Sequence, residues 1–133
     1  METYGDKIQR VFRDYPLAFH DNAQISAEAA NCASDQGKFW EYHDKLFENQ
    51  GKLDKASLIQ HAAGLELDAA SFSECLDSGK YTTDVKQDFA DGLAVGVTGT
   101  PAFFINGRFL NGAVPYEQFA AIIDEELAKA GVN

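Results

Sequence analysis

The sequence predicts a mixed α/β domain: an early strand, a block of five helical segments, a β-hairpin and a closing helix. Three observations carry this reading. Residues 8–15, "IQRVFRDY", are rich in β-formers and stop at Pro16. Between Asn22 and Leu93 apolar residues recur at helical spacing, with start and stop signals at each junction. From Val97, "VTGTPAFFING" sets a proline before a short apolar run and an Asn-Gly pair.

The elements follow in order. Asp21 or Asn22 caps a first helix that runs to about Gln36, with Gly37 as its stop. Ile25, Ala29, Cys32 and Ala33 form one apolar stripe on it. A second helix, residues 38–48, is expected to bury Phe39, Trp40, His43, Leu46 and Phe47. Asp54 and Asp68 are carboxylate N-caps of the third and fourth helices, with Leu53–Leu58 and Leu67–Phe72 as hydrophobic staples. Gly64 and Gly79 stand where the C-terminal caps belong. Val85, Phe89 and Leu93 give the fifth helix, residues 81–93, its inner stripe. Proline cannot donate to a ladder, so Pro101 precedes the strand Ala102 to Ile105. Asn106-Gly107 suits a two-residue type I′ turn, because both positions need positive φ, and Arg108 to Leu110 returns as the partner strand. Pro115 fits the first turn of a last helix whose inner face is Phe119, Ile122, Ile123 and Leu127. The acidic run Asp124-Glu125-Glu126 reads as its wet face.

At 133 residues the chain is one domain, and 45% hydrophobic content suits a packed core rather than disorder. Eleven basic against 21 acidic residues leave a net charge of −10, which argues against nucleic acid and against docking on an anionic membrane. No apolar run approaches the roughly 18 residues of a membrane span. The start, "METYGDKIQRVF", lacks the apolar core of a signal peptide, so either the protein is cytosolic or a precursor segment is missing.

"FRDYPLAFHDNA", "GKFWEYHDKLF", "TGTPAFFINGRFLNG" and "PYEQFAAIIDEEL" occur in this order, and together they resemble the DsbA-like branch of the thioredoxin superfamily. The resemblance covers nearly the whole chain. It implies a thioredoxin-like sheet with a helical insert, residues 22–93, within one domain of residues 1–133. It also implies a cis bond between Thr100 and Pro101, in a loop that docks extended peptides by strand-like pairing. His20, just after the first strand, would approach the same substrate side.

Members of that family exchange disulfides through a C-x-x-C at a helix N-terminus, where helix amides and the partner thiol favour the attacking thiolate. This chain has no C-x-x-C, and no catalytic residue is assigned. By the resemblance it lacks the first strand and the active-site helix, and the expectation is a truncated family body without dithiol-oxidase activity. Cys32 and Cys75 lie on apolar stripes, and three readings stay open for them: buried free thiols, a structural disulfide, or a resting redox centre. The resemblance points to the disulfide. Neither cysteine has a basic neighbour in sequence.

His43 reads as a packed histidine between Trp40 and Phe47, and His61 as lying on a solvated helix edge. With no zinc-type Cys/His spacing, neither a metal nor another cofactor is expected. The function expected by resemblance is thiol-disulfide exchange on extended peptides or protein thiols, in an extracytoplasmic compartment. The rivals are a non-catalytic peptide-binding module and a glutathione-binding one. If the sheet lacks its first strand, residues 8–15 and the hairpin are left with unpaired edges, and a homodimer is expected to cover them.

Overall fold

Five helices build the unit Asp14–Gly92 among the described residues, which are 3–132 in this computed structural model. They are α1 (Ala23–Ser34), α2 (Phe39–Glu48), α3 (Lys55–Gly64), α4 (Ala69–Ser78) and α5 (Thr82–Ala94), the last running on past Gly92. The inner face of α1 is made of Ala29, Ala30, Cys32 and Ala33, all buried. Small side chains let neighbouring backbones come close, and α1 accordingly packs against α2, α3 and α4. Leu58, Phe72 and Tyr42, each fully buried, fill the space between them. Burying a side chain of that size contributes roughly 1.5–3 kcal/mol.

Tyr42 corrects the expected face of α2. The buried stripe is Phe39–Tyr42–Leu46, and Phe47 is 61% exposed. The phenol is tolerated in the core because its hydroxyl donates to the Leu58 carbonyl at 2.9 Å, while its ring meets Phe72 at 5.5 Å. Trp40, His43 and Phe47 instead form an aromatic row along the flank, with centroids 5.2 and 4.7 Å apart.

The carboxylate caps act as physical chemistry requires. Asp54 accepts from the Ser57 N–H at 3.3 Å and from its hydroxyl at 2.6 Å, and Asp68 accepts from the Ser71 N–H at 2.9 Å. Leu53 and Leu67 pack against the core beside them. The Gln36 amide grips the Asp68 backbone from both sides, donating to its carbonyl at 3.2 Å and accepting from its N–H at 2.8 Å. Gly79 ends α4 in the left-handed region, at φ 66°. The expected Gly64 cap of α3 is displaced: the left-handed residue is Glu66, at φ 62°. There the Leu67 N–H reaches the Ala62 carbonyl at 3.1 Å and the Glu66 N–H reaches Ala63 at 3.0 Å. Leu65 and Leu67 both lie on the core, so the chain reverses between them and not a turn earlier.

On α5, Val85 is buried and the Phe89 ring meets Tyr15 at 4.5 Å, but Leu93 is 55% exposed, so the predicted stripe ends one turn early. The expected strand over residues 8–15 does not form. Its Asp14 is buried and tied to helices: the backbone N–H donates to Asp88 Oδ2 at 3.0 Å, and Oδ2 accepts from Asn31 at 3.0 Å. β propensity alone does not make a strand.

The second unit comprises the described residues up to Arg13 and those from Leu93 onward. Its strands β1 (Ala102–Ile105) and β2 (Arg108–Asn111) pair antiparallel, Phe104 opposite Phe109, through Asn106 and Gly107 at φ 49° and 85°. Helix α6 (Tyr116–Lys129) starts after Pro115. One hairpin face meets α6 through Phe103 and Phe119, edge to face at 4.8 Å. On that face Arg108 also donates to Glu125 at 2.7 Å and to Glu126 at 3.4 Å. The acidic run is therefore engaged rather than simply wet, and Tyr4 donates to Asp124 at 3.0 Å. Lost hydration and that hydrogen bond push the Tyr4 phenol up to about 12. The other hairpin face carries Phe104 against Phe109, at 4.9 Å and each more than 40% exposed.

Glu66→Gly is expected to raise stability by about 0.5–1 kcal/mol, since glycine alone meets no Cβ penalty at positive φ. A urea midpoint shifted upward with an unchanged slope checks this.

Candidate functional site

Thr100 and Pro101 sit at the entry to β1, both exposed. The bond between them is cis. The Pro101 carbonyl accepts from the Gly112 N–H at 2.9 Å, which closes the mouth of the hairpin and holds the segment against it. Among the described residues, the Thr100 N–H and C=O have no hydrogen-bond partner. An exposed residue beside a fixed turn, with both backbone groups open, can pair with an extended chain.

His20 belongs to the helical unit. It is exposed on the turn after Pro16, where its N–H meets the Leu17 carbonyl at 3.0 Å and its ring lies 4.4 Å from Phe19. It lines an open cleft of about 430 Å³ with Pro16, Asp21, Lys86 and Phe89. His43 is half-buried in the aromatic row of α2, with Nδ1 at 3.0 Å from Asp44. His61 corrects the expectation of a solvated edge: it is 7% exposed, and its Nε2 lies 2.9 Å from the Lys52 carbonyl. A carbonyl only accepts, so Nε2 carries the proton, and this bond is what allows the ring to be buried.

Cys32 and Cys75 form a disulfide, with Cα atoms 5.9 Å apart, joining α1 to α4. A loop of this length stabilises by about 4 kcal/mol in the chain-entropy account. The two sulfurs see different surroundings. Cys32 is 1% exposed in the alanine face of α1, whereas Cys75 is half-buried beside an open cleft of about 240 Å³ with Asp35, Glu74 and Lys80. Asp35 accepts from Lys80 Nζ at 2.7 Å and from the Tyr81 hydroxyl. The Lys80 and then the Tyr81 hydrogen bond hold its carboxyl below the usual carboxylate range. These neighbours were not read from the sequence, which shows no basic residue next to either cysteine. The signal that could have found them is the Gly79 cap. It turns the chain so that the Lys80 N–H lies 3.4 Å from the Cys75 carbonyl.

A family model described as thioredoxin matches residues 1–125. The chain belongs to the thioredoxin family. A thioredoxin-like oxidoreductase from Silicibacter pomeroyi shares the fold with a TM-score of 0.77 at 25% identity, over 87% of this chain and 66% of that one. The mixed arrangement of helices with a small antiparallel sheet is thus thioredoxin-like. Among curated relatives, this thioredoxin-family chain is 39% identical to Na+/H+ antiporter NhaA 1 of Salinispora arenicola over 91% of its length. It is 36% identical to Na+/H+ antiporter NhaA of Herminiimonas arsenicoxydans, also over 91%. It spans about 19% of the length of each of these relatives. No helix among the described residues is long and apolar enough to cross a membrane.

Because the Asp35 carboxyl is depressed, its bonds to Lys80 and Tyr81 stabilise the fold above the ordinary carboxylate value near 4 and are lost as pH falls through the lower folded value. Asp35→Asn should therefore flatten the acid limb of the stability curve below about pH 4. Chemical denaturation across pH 2–7 checks it, and parallel acid limbs for both proteins would contradict it.

Proposed function

We propose that this chain is the substrate-holding body of a DsbA-like thiol-disulfide oxidoreductase, docking extended peptides along Thr100 and Pro101. The observation that carries the reading is the open backbone of Thr100 beside a turn anchored to the hairpin. An incoming strand finds one donor and one acceptor already positioned. The exposed Phe104–Phe109 pair offers apolar surface on the same hairpin. Chemistry is a separate matter. The chain's two cysteines are bonded to each other, and both lie within helices rather than at a helix N-terminus. Dithiol exchange in this family starts from a cysteine at a helix N-terminus, and neither Cys32 nor Cys75 holds that position. The chain by itself is therefore proposed to bind and not to turn over.

An extracytoplasmic setting suits the Cys32–Cys75 bond, since disulfides persist in oxidising compartments. The antiporter name of the curated relatives describes proteins of which this stretch matches about a fifth. Ion transport needs a polar path through membrane-spanning segments. We assign the matching stretch a thiol-handling or peptide-holding role in such a protein, not the transport step.

Titration of an unstructured, cysteine-containing peptide, followed by amide shifts, is expected to perturb Thr100 and Ala102, with glutathione causing no comparable change. Insulin reduction should stay at background. Turnover that vanishes in Cys32→Ser, or glutathione binding in place of the peptide, would overturn the reading. Self-association is proposed through the exposed apolar Phe104–Phe109 face, which favours a symmetric pair. Light scattering after size exclusion at micromolar concentration should give twice the 14.6 kDa chain mass. A monomer would refute the pair.

A further inference from the structure

The Cys32–Cys75 disulfide is asymmetric in a way that dictates its chemistry. Disulfide exchange begins with a thiolate reaching one sulfur from solvent. Cys32 is walled in by the small residues of α1 and by the buried Tyr42 and Phe72 core. Cys75 borders the cleft formed with Ser71, Glu74, Ser78, Asp35 and Lys80. Its sulfur lies 3.8 Å from Asp35 Oδ2. The cleft thus offers two carboxylates against one ammonium, and a carboxylate oxygen stands beside the sulfur. Asp35 stays ionised because Lys80 and Tyr81 both donate to it.

We propose that Cys75 is the sulfur at which small thiols exchange with this chain, releasing Cys32, and that Asp35 makes the site prefer cationic thiols to anionic ones. In the step, a thiolate RS⁻ attacks Cys75 Sγ. An RS–Sγ bond forms as the Sγ–Sγ bond to Cys32 breaks, and the electron pair leaves on Cys32, which then takes a proton from water. The exchange needs only the incoming thiol. Each thiolate brings its charge past a fixed carboxylate, so a reagent with a second, anionic group meets added repulsion, which a cationic group offsets. The consequence for a thiol-handling module is selectivity: its own cross-link resists anionic thiols such as glutathione. The inference stands independently of the role proposed for Thr100 and Pro101.

The test uses the folded chain with cysteamine and 3-mercaptopropionate, with rates normalised to thiolate concentration. Mixed disulfides are trapped by alkylation and located by mass spectrometry. The adduct is expected on Cys75, with the alkylating agent on Cys32. The cysteamine-to-mercaptopropionate rate ratio should fall about three- to tenfold in Asp35→Asn, and 0.5 M salt should shrink the wild-type ratio. Lys80→Met should slow the anionic thiol further. Loosening of the fold in Asp35→Asn would raise both rates alike and leave the ratio unmoved, so the ratio separates charge from stability. An adduct on Cys32, an unchanged ratio in Asp35→Asn, or no exchange with the folded chain would overturn the proposal.

Discussion

The helical unit depends on one constraint: α1 turns a run of small buried side chains to the helices packed on it. Ala29, Ala30, Cys32 and Ala33 form a shallow face on which α2, α3 and α4 converge. Tyr42, Leu58 and Phe72 fill the space that remains between them, and of these only Tyr42 brings a polar group. A phenol there is stable only because the Leu58 carbonyl accepts its hydrogen bond. Burial pushes that hydroxyl well above its ordinary range, so it remains a neutral donor. The small face also brings Cys32 within bonding distance of Cys75, because a larger neighbour on α1 would hold α4 away.

The same seam is tied twice more. Three residues beyond Cys32, Asp35 collects Lys80 and Tyr81 from the chain leaving α4. One residue further, Gln36 pairs with the backbone of Asp68 at the start of α4. The disulfide, the charged cluster and the amide pair therefore secure both ends of α4 to the end of α1. Exposed ion pairs contribute little singly. They also place charged groups around Cys75, the half-buried end of the disulfide.

The hairpin unit is organised differently. Its side chains alternate between α6 and the opposite face, so Phe103 and Arg108 meet the helix while Phe104 and Phe109 do not. A two-stranded hairpin has little stability of its own and relies on what packs against it. In this unit α6 supplies that support through the Phe103–Phe119 contact and the Arg108 bonds to Glu125 and Glu126. Thr100 and Pro101 inherit their placement from the hairpin mouth.

Much of this was legible in the sequence, because it rests on local rules. Asp54 and Asp68 as caps, Gly79 as a stop and Asn106-Gly107 as a turn each follow from backbone geometry within four or five residues, and family motifs indicated the thioredoxin-like fold. What the sequence could not decide is which face of an element meets which partner. The α2 stripe turned by one residue to Tyr42 because the deciding group is a carbonyl on α3. The reversal after α3 passed over Gly64 to Glu66 because Leu65 and Leu67 had a core to reach. His61 can be buried because a carbonyl nine positions away satisfies it, beyond what helical periodicity reports. Residues 8–15 read as a strand by composition, yet a strand exists only where another backbone pairs with it. Asp35, Lys80 and Tyr81 came together around Cys75 across some 45 positions of sequence. Periodicity and propensity report what a residue prefers locally; hydrogen-bond satisfaction and charge are settled by whatever tertiary packing brings near.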